Sequence, residues 1–165
     1  MASGNTLCIF TPQNNEPPSA AYATPDTRNG HLVLDFDATT DESAVFKGVM
    51  PRHYAGGGVT VYLHVAFSSA TSGVARFDVA FERVGDGQQD IDSDGFASAQ
   101  SVDITAPGTS GYVEASTTVA FTDGAQMDSV AAGEGFRLKV TRDANHANDT
   151  ATGDCELFAV ELKET

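Results

Sequence analysis

The feature that most constrains this chain is a run of strict alternation from Val59 to Phe67, Val-Thr-Val-Tyr-Leu-His-Val-Ala-Phe. Val59, Val61, Leu63, Val65 and Phe67 share one parity, while Thr60, Tyr62, His64 and Ala66 share the other. Side chains alternate across a strand, so one face is wholly apolar and the opposite face mixed. Such a strand must pack its apolar face on a second layer. Ala55-Gly56-Gly57-Gly58 precedes it and marks a turn into the strand.

The same period recurs on both sides. Leu32, Leu34 and Phe36 stand opposite Val33, Asp35 and Asp37, and a short strand over 44–49 ends at Met50-Pro51. From Val74 to Val84, Ala75, Phe77, Val79 and Phe81 oppose Arg76, Asp78, Ala80 and Glu82. A strand over 101–106 stops at Pro107-Gly108, and the stretch 111–121 is expected to turn Val113, Ala115, Thr117, Val119 and Phe121 inward. Phe136, Leu138 and Val140 oppose Arg137, Lys139 and Thr141, and Cys155 to Leu162 reads as the closing strand. Thr39 to Glu42 reads as a short helical turn capped by Thr40 or Asp41, and 122–132 as a short helix or turn capped by Asp123. About eight strands without a long amphipathic helix predict an all-β, antiparallel two-sheet sandwich of jelly-roll type. Missing crossover helices argue against a parallel α/β fold, and the lack of a fixed-period repeat argues against propellers and solenoids.

Residues 1–30 differ from the rest. Pro12, Pro17, Pro18 and Pro25 stand among Asn, Ser, Thr and Ala. Proline removes donors and favours extended chain, so this segment reads as an extended Pro-rich N-terminal arm before a sandwich domain of residues 31–165. Leu7, Ile9 and Phe10 are its candidate partner-binding residues. On this reading, deleting the arm leaves the sandwich folded. The N-terminus has no basic region and does not read as a signal peptide. No apolar stretch approaches the roughly 20 residues of a membrane span.

A chain of 165 residues is expected to hold one domain with its own core. Its net charge of −14 repels phosphate backbones and argues against nucleic acid as a partner. Cys8 and Cys155 are too few for a disulfide framework and match no zinc spacing. They read as reduced thiols, with Cys155 buried, although a bridge from the N-terminus to the last strand stays open.

The most specific local signal is Asp90-Ile91-Asp92-Ser93-Asp94-Gly95, the first half of a calcium loop, with Asp90, Asp92 and Asp94 as candidate ligands. The twelfth position is Ser101, where a bidentate Glu belongs, so an exposed connector is the competing reading. The loop 143–154, with Asp143, Asn145, Asn148, Asp149 and Asp154, is a weaker candidate whose residues also suit plain turns. Apart from calcium no cofactor is expected. Gly56-Gly57-Gly58 lacks the Lys-Ser or Lys-Thr of a phosphate loop. His31, His53, His64 and His146 show no ligand spacing, and His64 reads as a surface or contact residue. There is no nucleophile elbow and no Trp to stack on a sugar, so no enzyme is expected.

Several segments together resemble a family of small virion structural proteins of tailed bacteriophages. They are Leu34-Asp35-Phe36-Asp37 with Thr40-Asp41-Glu42, Gly48-Val49-Met50-Pro51 with Tyr54 and Gly56-Gly57-Gly58, Phe81-Glu82-Arg83, and Asp90 to Phe96. Ala131-Ala132-Gly133-Glu134, Arg142-Asp143-Ala144, Asp149-Thr150 and Gly153-Asp154 complete the set. The resemblance implies a capsid decoration, or cement, protein on the capsid exterior of the virion. Such a protein binds the major capsid protein and itself, as a homotrimer. The alternative is a tail- or fibre-associated receptor- or glycan-binding jelly roll, calcium-dependent through the 85–98 loop. A hydrolase is the third reading.

Overall fold

The computed structural model describes residues 4–87 and 89–165; the first three residues of the expected arm and Gln88 of the acidic loop lie outside that set. Ten strands form the architecture: β1 (Thr6–Phe10), β2 (Thr24–Arg28), β3 (His31–Phe36), β4 (Glu42–Val49), β5 (Val59–Phe67), β6 (Val74–Val84), β7 (Gln100–Thr105), β8 (Thr118–Phe121), β9 (Gly135–Arg142) and β10 (Cys155–Glu164). They make two antiparallel sheets, one ordered β2-β3-β10-β5-β8 and the other β4-β9-β6-β7. β1 lies in the same lane as β3: β3 pairs with the first half of β10 and β1 with the second.

The sandwich follows from the alternation. Val59, Val61, Leu63, Val65 and Phe67 are all buried between the sheets. Facing residues on β6 and β9 meet them, and aromatic rings lock the layers. Phe36 meets Phe77 edge-on at 5.4 Å, and Phe81 meets Phe121 at 4.9 Å. Each such buried ring contributes about 1.5–3 kcal/mol of apolar burial.

Residues 1–30 do not stand apart from this sandwich. β1 and β2 are strands of the first sheet. Leu7 and Phe10 are buried core residues, and Phe10 stacks on Phe46 at 5.5 Å; of the three candidate partner contacts only Ile9 is exposed. Between β1 and β2 the chain crosses to the other sheet, where the Glu16 N–H donates to the Val45 carbonyl at 2.7 Å and the Ala23 N–H to Ser43 at 3.0 Å. The segment therefore straps both sheets. The expected boundary at residue 30 falls in the β2–β3 hairpin, whose turn Asn29-Gly30 has φ of 47° and 81°. Two successive left-handed residues make the turn that matches strand twist, which is why Asn-Gly occurs here. Pro25 is tolerated because β2 is an edge strand.

Two local expectations are corrected and a third is narrowed. Only residues 118–121 of the stretch 111–121 form a strand. Upstream the chain still follows β5, but Thr118 faces Tyr62 and Glu114 faces Val65, so four steps oppose three. An extra residue reverses parity. Val113 is consequently exposed, whereas Val119 and Phe121 are buried as expected. Thr39 to Glu42 form no helix. The Asp37 carboxylate accepts the N–H groups of Thr39 (2.6 Å) and Thr40 (2.8 Å), and Glu42 already begins β4. Of the short helix or turn expected over 122–132, the structure has one 3-10 turn, Ala125–Met127.

Both cysteines are free thiols. Cys8 faces Leu162, seven residues along β10 from Cys155, or roughly 23 Å at strand rise. Burial pushes the Cys8 thiol up to about 11 and raises Cys155 further, so neither is a ready thiolate.

Candidate binding groove

The outer face of the first sheet carries a groove, created by an irregularity in β10. Leu157 faces Val65 while Ala159 faces His64, so Phe158 is the extra residue of a bulge. Bulges re-aim a side chain, and here Phe158 turns away from the core. His31 at the start of β3 packs edge-on against its ring, with centroids 6.3 Å apart.

His31 and Phe158 are shared by two hollows. One, of about 400 Å³, is also lined by Arg28, Asn29, Gly111 and Val113. The other, of about 330 Å³, is also lined by Thr11, Pro12, Gln13 and Leu32. Together they form a trough with an aromatic divide, apolar patches and polar rims, one of which carries Arg28. Neither half is lined by a carboxylate. Tyr112, 64% exposed, stands between Gly111 and Val113 at one end.

Arg28 fixes the wall of the larger hollow. It donates to the Phe67 carbonyl at 3.0 Å and forms a salt bridge with the largely buried Glu156. Gly111 makes room for it: a Cβ there would lie 2.8 Å from an Arg28 guanidinium nitrogen, on a residue with φ of +81°. Behind this wall, Asp35 stands directly opposite Glu156 in the β3–β10 register. Burial pushes the Asp35 carboxyl up to about 6, and the charges of Glu156, Asp26 and Asp154 add to the rise.

The acids singled out in the sequence are engaged otherwise. Asp90 caps its own turn, accepting the Asp92 N–H at 3.0 Å on its carboxylate and the N–H groups of Ser93 and Asp94 at 2.9 Å on its carbonyl. Asp94 turns back to accept the Gly95 N–H. Among the described residues no three Asp, Glu, His or Cys side chains are grouped to hold a metal ion, and the second oxygen of Asp94 is buried without a hydrogen-bond partner. In the 143–154 loop, Asp149 pairs with Arg142, Asn148 donates to Asp103, Asn145 donates to Asp41, and Asp154 accepts from Ala38. His64 lies on the outer face, 3.9 Å from Glu161.

Most of the groove was hidden from sequence reasoning. Phe158 reads as an ordinary member of a closing strand, since a bulge leaves no pattern in one sequence. Thr11, Pro12, Gln13, Arg28 and Asn29 fell in the presumed arm. The Asn29-Gly30 pair was the available signal, because it announces a hairpin and so commits Arg28 to the sheet. A further hollow of about 470 Å³ among the loops at one end is lined largely by Ala and Gly, and its aromatic lining residue, Tyr54, is buried with its hydroxyl on Asp123.

No protein-family model and no curated protein matches this chain. Solved structures do share its architecture. A family 35 carbohydrate-binding module from an environmental isolate aligns over 96% of this chain and 94% of its own, with a TM-score of 0.54 and 11% identity. A CBM36 carbohydrate-binding module in complex with calcium and xylotriose aligns over 95% of this chain and 100% of its own, at 0.51 and 15%. The CBM22-1-GH10 modules of Clostridium thermocellum xylanase 10B, complexed with xylohexaose, align over 98% of this chain at 0.55 and 13%. This chain spans 29% of that xylanase chain. At these identities the likeness establishes the fold: the protein is a jelly-roll β-sandwich of the kind found in carbohydrate-binding modules.

Proposed function

We propose that this protein is a carbohydrate-binding module without catalysis, holding a glycan in the groove around Phe158. The observation that carries this reading is the outward-turned Phe158 ring in a trough with polar rims and no lining carboxylate. Apolar surface with a few convergent polar groups is what a small-ligand site requires. The apolar face of a sugar ring stacks on an aromatic ring, and Asn, Gln and Thr side chains suit its hydroxyls. Support also comes from the fold, since the similar structures include modules solved with xylotriose and xylohexaose. Glycoside cleavage needs two carboxylates flanking the bond, and neither hollow is lined by one.

This reading agrees with the tail- or fibre-associated glycan-binding alternative to capsid decoration. Decoration of a phage shell rests on the sequence resemblance, and no surface described above favours it over glycan binding. The test is affinity electrophoresis of the purified protein through gels of soluble polysaccharides, with Phe158→Ala as control. Retardation that Phe158→Ala abolishes is expected. If no polysaccharide retards the protein, the glycan reading fails, and co-sedimentation with capsids lacking the protein becomes the decisive experiment.

A further inference from the structure

The two hollows meet at one ring. Phe158 and His31 belong to both, so the trough is divided rather than single. From this, and resting on the reading above, we infer that the groove takes at least two consecutive sugar units of an uncharged glycan, one on each side of Phe158.

The length requirement follows from the divide. A lone sugar fills one hollow and leaves the other in water. A longer chain fills both across Phe158 and loses translational freedom only once. The two ends differ in origin. One hollow is walled by the segment after β1, with Thr11, Pro12 and Gln13; the other by the β2–β3 turn and residues 111–113. Loss of a group at one end should therefore weaken long chains while leaving short ones bound at the other.

The preference for an uncharged ligand follows from electrostatics. Arg28 is the lining residue with a permanent charge, and Glu156 and the Phe67 carbonyl already engage it. Lys47, Arg137 and Lys139 are on the opposite sheet, remote from the trough. With a net charge of −14, the field of the protein repels an anionic glycan, and the lining cation Arg28 is already neutralised by Glu156.

The test is titration calorimetry with matched oligosaccharide series of one to six units: β-linked glucose, β-linked xylose, and the acidic galacturonate series. The expected result is affinity that rises about tenfold or more from one unit to three in a neutral series, then levels off. Gln13→Ala and Val113→Ala, both at exposed positions, should each reduce that gain without altering the melting temperature. Equal affinity for one unit and six would overturn the two-unit groove. Tighter binding of galacturonates would overturn the uncharged class. Chain-length dependence unaffected by Gln13→Ala, Val113→Ala and Phe158→Ala would place the site elsewhere while leaving glycan binding intact. No binding in any series would sink the functional reading, and this inference with it.

Discussion

Arg142 and Asp149 form a two-pronged ion pair inside the sandwich, with Nη2 to Oδ1 at 2.8 Å, Nε to Oδ2 at 2.9 Å, and side chains 0% and 1% exposed. The remaining guanidinium hydrogens go to the carbonyls of Phe36, Ala151 and Gly153. One arginine thus ties the end of β3 to the whole 143–154 connection. Asp149→Asn keeps the shape and strands the charge. Removing one partner of a buried pair costs about 3–5 kcal/mol. Urea unfolding should show a loss in that range, and a loss below about 1 kcal/mol would mean the pair is dispensable.

Asp35 gives a pH dependence with a definite sign. Its folded carboxyl titrates at about 6, above the ordinary 3.8, because of burial and the neighbouring acids. The folded state therefore holds the proton more tightly than the unfolded one. The stabilisation is complete below pH 4 and is lost as pH rises through 6. Asp35→Asn should raise the melting temperature at pH 7 and flatten its pH dependence between 4 and 6. Parallel pH profiles for the two proteins would contradict this assignment.

Gly111→Ala tests the wall of the groove. The added methyl meets Arg28 on a left-handed residue, so strain and displacement act together. A loss of about 1–3 kcal/mol is expected, with weakened glycan binding. Gly30→Ala, also at positive φ but with open space around it, isolates the backbone part at about 1 kcal/mol. Equal losses for the two variants would show that Arg28 simply moves aside.

Calcium removal should do nothing. The Asp90 and Asp94 carboxylates each accept a backbone N–H of their own turn, from Asp92 and Gly95. EDTA and millimolar calcium are expected to give the same melting temperature and the same glycan affinity. A calcium-dependent rise of several degrees would restore the loop as a metal site.

Deletion of residues 1–30 should abolish folding. It removes two strands and the core residues Leu7, Phe10 and Ala23, and bares the edges of β3 and β10. Aggregated expression is the expected readout. A soluble truncated protein with a cooperative melt would return the segment to the status of an arm.

Where the alternation ran unbroken, sequence and structure agree. β5, β6 and β9 bury the residues their parity assigns, because a period of two has only one inward set. Agreement stops wherever one residue is added. The bulge at Phe158 and the slip beside β5 reverse parity without changing composition, and both shape the groove. The prolines of the first 30 residues misled in another way. They forbid central strands but permit edges and turns, and a single chain does not say which edge is waiting. Asp149 reads as a ligand or a solvated turn former because its partner, Arg142, lies just before the loop and points inward, while Asn145, Asn148 and Asp154 find theirs on distant segments.

The strand order sets a timetable for synthesis. The second sheet draws only on β4, β6, β7 and β9 and is complete once residue 142 has left the ribosome. The first sheet is built around β10, the last of these ten strands to be made, so β1, β3 and β5 wait for it. Until β10 has been made the nascent chain carries half a sandwich with an uncovered apolar face, and β1 lacks the strand it pairs with. Closure by β10 makes folding slow and non-local, and it exposes this protein to capture by chaperones or by neighbouring copies during the interval.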